Sequence, residues 1–327
     1  MKPTTLSSAI KDLAFSLLKK LPSAAFLYVP ALTLTAFCGD VYWWFELTTH
    51  FRLQYFVSSA IFLAIFALLK MRRWAGIALV CLAINAAFVL PWYLPSSNSA
   101  QTGDGQKLRL LLSNVLWENT EHAKLIEEVR REKPDIAFFQ EVTPRWAEEL
   151  KALSGEYPEY RLYPTDDAGG IAAFSRIPFV RAEAAPMMEH NGPAIIAQIN
   201  VGAQLVSIVS VHAPPPGGKK NFDHRTEVFD QTAEFLNSLP EPKLVIGDLN
   251  TTMWSPYYKR FVAKTGLVNV REGFGILPSW STYWWPMVIP IDHCLVSRGI
   301  QVVNVRIGAP VGSDHLPLIV DLIIPQS

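Results

Sequence analysis

Long apolar stretches fill the first third of the chain, and short apolar runs that end in polar residues fill the rest. Leu21–Cys38 continues into the aromatic tail Tyr42-Trp43-Trp44-Phe45, while Leu53–Leu69 and Trp74–Leu94 contain no charged residue. A helix of about 20 apolar residues crosses about 30 Å of hydrocarbon, and runs of that length are rare in water-soluble cores. The pattern predicts three transmembrane helices, at about 21–45, 53–69 and 74–94. A cleaved signal peptide has one short apolar region, not three in series.

From residue 107 the pattern changes. Leu108–Ser113, Ile136–Phe139, Ile171–Phe174, Ile195–Ile199, Leu205–Val211, Leu244–Ile246, Ile291–Val296, Val302–Ile307 and Leu316–Ile323 are predicted strands. Several are continuous apolar runs, as expected for strands buried on both faces. Ala123–Glu132, Thr143–Leu153 and His224–Leu239 have helical spacing, with Thr143 placed to cap a helix that opens on Pro144. Hairpin-like strand pairs lie among the helices, which predicts a layered α/β domain with mixed sheets. Residues 95–106, rich in Ser, Gly and Asn, have linker composition. The expected organisation is a membrane anchor at 1–94, a linker at 95–106 and a folded domain at 107–327.

Charge sharpens the division. Formal net charge is zero, yet residues 1–100 hold eight Lys/Arg against three Asp/Glu, and residues 101–327 hold 21 against 26. Lys2, Lys11, Lys19 and Lys20 precede the first span, and Lys70, Arg72 and Arg73 separate the second from the third. The positive-inside rule then puts the N-terminus in the cytoplasm and the domain outside, in a multi-pass protein of the plasma (inner) membrane with a periplasmic or extracellular domain. Trp43, Trp44, Trp92 and Tyr93 fit an aromatic belt at the outer face. Asp40 and Glu46 read as loop residues at a helix end. The acidic balance of the domain disfavours nonspecific nucleic-acid binding, which neutralises phosphates with Lys and Arg. The three cysteines, Cys38, Cys81 and Cys294, are too scattered for a disulfide framework or a Cys-rich zinc site.

Nearly every strand of the domain ends in a polar residue at odds with its apolar run. Asn114 follows Leu110-Leu111-Leu112-Ser113, Gln140-Glu141 follows Phe138-Phe139, and His212 follows Val209-Ser210-Val211. Gly247-Asp248-Leu249-Asn250 follows Leu244-Val245-Ile246, Asp292-His293 lies within Ile289–Val296, and Ser313-Asp314-His315 precedes Leu316-Pro317-Leu318. Each alone reads as a turn, a cap or a satisfied polar residue. Together they predict a convergent site, because sheets present ligand residues at strand ends. The donors suit metal-assisted hydrolysis of a phosphate ester. Hard divalent cations take oxygen ligands such as Glu141 and Asn114, and a carboxylate-aligned His can move a proton, with Asp314, His315 and Asp292 available. Asp248 can activate or orient water, and Asn250 and His212 can hold phosphoryl oxygens. No Gly-x-Ser-x-Gly elbow, P-loop or dinucleotide fingerprint occurs.

These segments resemble the endonuclease/exonuclease/phosphatase superfamily. The matching residues are Leu-Ser-Asn114, Phe-Phe-Gln-Glu141, Phe-Ser175-Arg176-Ile-Pro, Ser-Val-His212-Ala, Gly-Asp248-Leu-Asn250, Ile-Asp292-His293 and Gly-Ser-Asp314-His315-Leu-Pro. The resemblance implies a four-layer α/β/β/α sandwich of two mixed sheets with its site at one sheet edge. It implies that Glu141 binds Mg²⁺ or Mn²⁺ with Asn114 beside it and Asp314 assisting, and that Asp248 and Asn250 position water and phosphate. It makes His212 a phosphate contact, His315 the acid/base residue and Asp292 its orienter. A mid-domain Tyr or Arg that touches phosphate in several members has only Tyr163 as a candidate. Trp280, in the aromatic segment Pro278–Pro290, is a candidate substrate contact, and its neighbours Tyr283, Trp284 and Trp285 suit a bilayer or lipid surface. Pro214–Lys220 is read as a solvated loop bordering the site.

The expected function is a membrane-anchored, Mg²⁺-dependent phosphoric ester hydrolase with an extracytoplasmic site. Its expected partners are a phospholipid or lipid-linked phosphate or pyrophosphate and the bilayer itself, with nucleic acid disfavoured and no obligate protein partner. An extracytoplasmic endo- or exonuclease and a non-catalytic receptor or scaffold remain as alternatives.

Overall fold

A computed structural model describes residues 20–95, 105–186, 193–284 and 286–326. Lys2, Lys11, Lys19, most of the expected linker and Trp285 lie outside the described residues. The chain divides into two compact units, residues 1–90 and 91–327.

The first unit is helical. Its helices are α1 (Tyr28–Thr35), α2 (Trp43–Thr49), α3 (Arg52–Leu68) and α4 (Arg72–Val89), the last extended by a 3₁₀ turn over Leu90–Tyr93. The expectation of three spans needs correction. The stretch at 21–45 is not one helix: α1 ends at Thr35, and Cys38-Gly39-Asp40 carries the chain through turns before Trp43 opens a new helix. Gly and Asp favour turns, and here they outweigh the apolar run around them. Among the described residues one helix, Arg72–Tyr93, is long and apolar enough to cross a bilayer, and α2 with α3 adds a second if that pair, bent by 60°, is one span.

Inside this unit Phe26 packs on Phe62 and Phe66. Arg52 is buried between the rings of Phe37 and Phe88, 4.8 and 4.1 Å from their centroids. Its Nη1 donates to Asn85 Oδ1 at 3.3 Å, and Asn85 donates to Thr33 Oγ1 at 3.0 Å. Glu46 is not a loop residue: it lies buried in α2, 3.3 Å from His50 Nε2. Large apolar side chains nevertheless cover much of the outer surface, among them Leu68 (82% exposed) and Val80 (59%).

The second unit is built from twelve strands: β1 (Gly105–Asn114), β2 (Ile136–Gln140), β3 (Glu159–Tyr163), β4 (Ile171–Ser175), β5 (Phe179–Pro186), β6 (Pro193–Val201), β7 (Gln204–Ser210), β8 (Lys243–Asp248), β9 (Val268–Asn269), β10 (Asp292–Val296), β11 (Gln301–Ile307) and β12 (Leu318–Pro325). They form two six-stranded sheets, ordered β11-β12-β1-β2-β4-β3 and β5-β6-β7-β8-β10-β9. Each sheet contains one parallel pair, β1/β2 and β7/β8, flanked by antiparallel neighbours. The two sheets therefore share one sequence of strand directions.

Residues at alternate positions decide the layers. Leu108, Leu110, Leu112, Ile136 and Phe138 of the first sheet share one core with Ile195, Ile208, Leu244, Ile246 and Cys294 of the second. The opposite face of the first sheet, Leu111, Ala137, Phe139 and Ala172, packs on α5 (His122–Glu132) and α6 (Pro144–Leu150) through Leu125, Val129, Trp146 and Leu150. Val209, Val245 and Leu295 are buried on the other face of the second sheet. Helices α7 (Lys219–Ser238) and α8 (Pro256–Thr265) bury apolar faces of their own and meet where Phe229 packs on Phe261. The α/β sandwich of two mixed sheets thus matches expectation.

Thr143 caps α6 as its sequence predicts, accepting from Trp146 N with Pro144 in the first turn. The helix expected from His224 begins earlier, at Lys219, because its exposed first turn holds polar residues that carry no periodic signal.

Candidate active site

Both parallel pairs end at the same place. The β1/β2 register sets Asn114 opposite Gln140, and the β8/β10 register sets Asp248 directly opposite Asp292. Gln140 fastens the two sheets there. Its amide is fully buried, donates to Val211 O at 2.8 Å and accepts from Asp248 N at 2.8 Å. Gly247 makes this possible: a Cβ there would lie 1.8 Å from Val211 O and 2.9 Å from Gln140 Nε2.

Asp248 is the hub. Four side chains surround its Oδ2: Asn250 Nδ2 at 3.2 Å, Asn114 Nδ2 at 3.3 Å, His315 Nε2 at 3.6 Å and His212 Nε2 at 3.7 Å. Its Oδ1 accepts from Asn250 N at 2.8 Å, closing a tight turn in which Asn250 has φ +48°. Arg225 of α7 holds the turn from behind, donating from Nη1 to Asn250 O at 2.7 Å. Asn250 Nδ2 also donates to Ala213 O at 2.9 Å.

His315 stands between carboxylates. Its Nδ1 lies 2.9 Å from Asp292 Oδ2, and its Nε2 lies 4.0 Å from Asp314 Oδ1. The backbone on either side is fixed as well, since Ser313 Oγ donates to Asn114 O at 2.8 Å and accepts from His315 N at 3.0 Å. Asp292 N donates to Ser279 Oγ at 3.3 Å.

Burial and charge pull these groups apart. Burial pushes the Asp248 carboxyl up to about 8, opposed by His315. Burial alone would lower His315, but the carboxylates of Asp292 and Asp248 outweigh it and lift the imidazole to about 10. For Asp292 burial acts upward, yet the charge and hydrogen bond of His315 prevail and hold the carboxyl below its usual range. His212 is lowered by burial.

Glu141, at φ +64°, sits on the first sheet's side of the site. Its Oε1 accepts from Asn114 Nδ2 at 2.9 Å and its Oε2 from Trp117 N at 3.2 Å. Asp314 is held away from that pair, its Oδ2 accepting from Trp280 Nε1 at 2.7 Å. Trp280 is thereby part of the wall beside His315, its ring centroid 6.4 Å from the imidazole. Next to it Tyr283 and Trp284 are largely exposed, at 64% and 72%.

The donor set fits a hard divalent cation, because the carboxylates of Glu141 and Asp248 lie on either side of the Asn114 amide, whose nitrogen bonds both and whose oxygen accepts from Leu116 N. Asp248, Asp292 and His315 also bring one ligand atom each to within 4.8 Å of one another. The 2.9 Å hydrogen bond already joins two of those three, so Glu141 with Asn114 is the better cation site.

The contacts above join Asn114, Glu141, His212, Asp248, Asn250, Asp292, Asp314, His315 and Trp280 into one cluster. Tyr163 packs against the core between the sheets, and Lys219 Nζ pairs with Asp223 at 2.6 Å on its own helix. His293, next to Asp292, serves the scaffold: its Nε2 lies 2.8 Å from Thr251 O and its ring 4.8 Å from that of Tyr258. Arg225 and Ser279 were not anticipated, and Gln140 was placed at the site but not as the fastening between sheets. Gln140 carried a signal, as an amide ending an otherwise apolar buried strand.

Residues 111–315 match the model of the endonuclease/exonuclease/phosphatase family, which is more than half of the chain. The chain belongs to this family, whose members are phosphoric ester hydrolases. Similar solved structures include a humanized D. rerio TDP2, 18% identical over 67% of this chain and 99% of that one, with a TM-score of 0.56. A Bacteroides thetaiotaomicron protein of the same family is 18% identical over 68% and 100%, with a TM-score of 0.56. The human Nocturnin catalytic domain with bound sulfate is 18% identical over 66% and 93%, with a TM-score of 0.52. Identities this low bear on the fold alone. No curated protein sequence gives a significant match.

Proposed function

We propose that the protein is a membrane-anchored, divalent-metal-dependent phosphohydrolase that cleaves a lipid-linked phosphate or pyrophosphate at an extracytoplasmic site. The observation that carries the chemistry is the environment of Asp248 Oδ2, where two amides and two imidazoles converge on one carboxylate oxygen. Support for the anchor comes from the apolar helix Arg72–Tyr93 and the exposed Leu, Val and Phe side chains of the helical unit. The basic residues Lys70, Arg72 and Arg73 at one end of that helix support an outward-facing domain. The exposed Tyr283 and Trp284 beside His315 support a substrate at a lipid surface.

Glu141 and Asn114 would hold Mg²⁺ or Mn²⁺, which neutralises phosphoryl charge and polarises the phosphorus–oxygen bonds. The chain's own groups divide the remaining work. Asp248, in its ionised form and with a proton affinity raised by burial, orients the attacking water and accepts its proton. Asn250 Nδ2, while still held by Ala213 O, exchanges Asp248 Oδ2 for a non-bridging oxygen, and His212 Nε2 donates to another as charge builds on them. His315, kept protonated by Asp292, faces the phosphoryl group with Nε2 and delivers a proton to the leaving oxygen. A carboxylate and an imidazole 3.6 Å apart thus supply base and acid.

The test is Mg²⁺-dependent turnover by detergent-solubilised protein of long-chain lipid phosphates and pyrophosphates, alongside single- and double-stranded DNA. The Asp248→Asn variant serves as the blank. Lipid hydrolysis that this variant loses by about 10³-fold or more supports the proposal. DNA cleavage with lipids untouched replaces it with a nuclease, and binding without turnover replaces it with a receptor.

A further inference from the structure

Behind the site lies a charge that the mechanism above does not use. Arg271 follows β9, and Val270 N donates to Cys294 O at 3.1 Å, which lays the arginine alongside the start of β10. Its side chain is fully buried, and the bond from Nη2 to Leu277 O at 3.3 Å leaves Nε and Nη1 with no hydrogen-bond partner among the described residues. A guanidinium with two idle donors in a protein interior is costly unless a counter-charge faces it. One does. Asp292 Oδ2 is taken by His315 Nδ1, while Asp292 Oδ1 is also buried and has no partner among the described residues. Burial pulls the Arg271 pKa down to about 10, and the group that most resists this pull is Asp292. No direct salt bridge joins the two among the described residues; the guanidinium acts on the carboxylate as a buried counter-charge.

We infer that Arg271 is a positioning residue that acts on His315 through Asp292, holding the free carboxylate oxygen so that the other oxygen stays on His315 Nδ1. This rests on the hydrolase reading of the site. The buried row then runs Arg271, Asp292, His315, Asp248, with basic and acidic side chains alternating along it. Removing the guanidinium frees Asp292 to rotate, and His315 loses the orientation that aims Nε2 at the leaving oxygen. Substrate-binding groups such as Asn250 and His212 are untouched, so the loss falls on kcat and leaves KM in place.

The experiment uses the full chain in detergent with Mg²⁺ and bis(p-nitrophenyl) phosphate as the probe. Arg271→Gln should lower kcat by about 10–100-fold at unchanged KM, and Arg271→Lys, which keeps the charge without the fork, by about threefold. In an Asp292→Asn background both changes should shrink below about twofold, because the route to His315 is already broken. Equal losses in both backgrounds overturn the inference and leave Arg271 a scaffold residue. Should Arg271→Gln not fold, the Lys variant carries the same comparison. A second reading needs no turnover: the hydrogen-bonded His315 Nδ1 proton, observed by NMR and assigned by its loss in His315→Gln. It should persist in Arg271→Lys and vanish or shift in Arg271→Gln, and an unchanged signal overturns the inference. A wild type inactive on every probe counts against the hydrolase reading, and the proton signal then decides the role of Arg271 by itself.

Discussion

Replacing Gln140 with Leu removes the fastening between the sheets while nearly conserving volume. The amide makes two hydrogen bonds of 2.8 Å, to Val211 O and from Asp248 N, in a position with no solvent access. Leucine satisfies neither backbone group. Each buried group left without a partner costs about 1–3 kcal/mol, so the expected loss is roughly 2–6 kcal/mol. For a unit of this size each kcal/mol lowers Tm by about 2–4 °C, giving a fall of roughly 5–20 °C in the transition of the α/β unit. Activity should suffer out of proportion to stability. Asp248 Oδ2 meets its four neighbours at 3.2–3.7 Å, and a displacement of about 1 Å in such a site costs on the order of 10²-fold in rate. Differential scanning fluorimetry of the full chain in detergent, paired with kcat measured well below the new Tm, reads both effects. A Tm within about 2 °C of wild type together with kcat within about twofold would refute the reasoning. It would mean that Asp248 is held by its strand alone.

Other outcomes follow from the same geometry. His315 binds its proton more tightly when folded, with a pKa raised from 6.5 to about 10. The stability this contributes is full below pH 6.5 and is lost as pH rises through about 10. Wild-type Tm should therefore drop between pH 7 and 10 while that of His315→Gln changes less, and a gap that widens with pH contradicts the assignment. Gly247→Ala should destabilise by more than about 3 kcal/mol, because its Cβ would fall 1.8 Å from Val211 O; soluble yield and Tm report it, and a wild-type Tm refutes the close approach. Trp280→Phe removes the donor to Asp314 Oδ2 and should cost about 1 kcal/mol, with a larger effect on kcat than Trp284→Phe, which alters only an exposed ring. Equal effects of the two would detach Asp314 from catalysis.

The sequence spoke most clearly where one physical demand acted alone. The central strands are buried on both faces, so their apolar runs were unambiguous, and the polar residues ending them marked the site. Edge strands β3 and β5 escaped notice because half-exposed positions such as Arg161, Arg181 and Glu183 interrupt the pattern. Helix α8 had its signals in place, Ser255 as cap and Pro256 in the first turn, but its short polar stretch did not stand out beside the neighbouring loops. The apolar stretch at 21–45 failed for the opposite reason. Hydropathy averaged over a window conceals a Gly-Asp turn, and the turn, not the average, ends the helix. Arg225, Ser279 and Gln140 act on the site through backbone groups of distant segments. No local pattern announces a contact such as Arg225 to Asn250, which depends on how a helix packs over a sheet.

The shared order of strand directions in the two sheets has a consequence for how the protein can fail. The first sheet's parallel pair delivers an amide and a carboxylate to the seam, Asn114 and Glu141, and the second delivers an imidazole and a carboxylate, His212 and Asp248. In the proposed reaction a phosphoryl group would meet these two pairs from either side, each with its own duty. On the proposed reading the cation site lies on the first layer and the proton acceptor on the second, while the proton donor His315 comes from the segment before β12 of the first. Damage to the first can be made good from solution, by supplying more cation to a weakened Glu141 site. Damage to the second cannot, because nothing dissolved in the medium replaces a proton acceptor held between four side chains. A defect at the proposed cation site is therefore one that the surroundings can repair, and a defect at Asp248 is one that only the chain can.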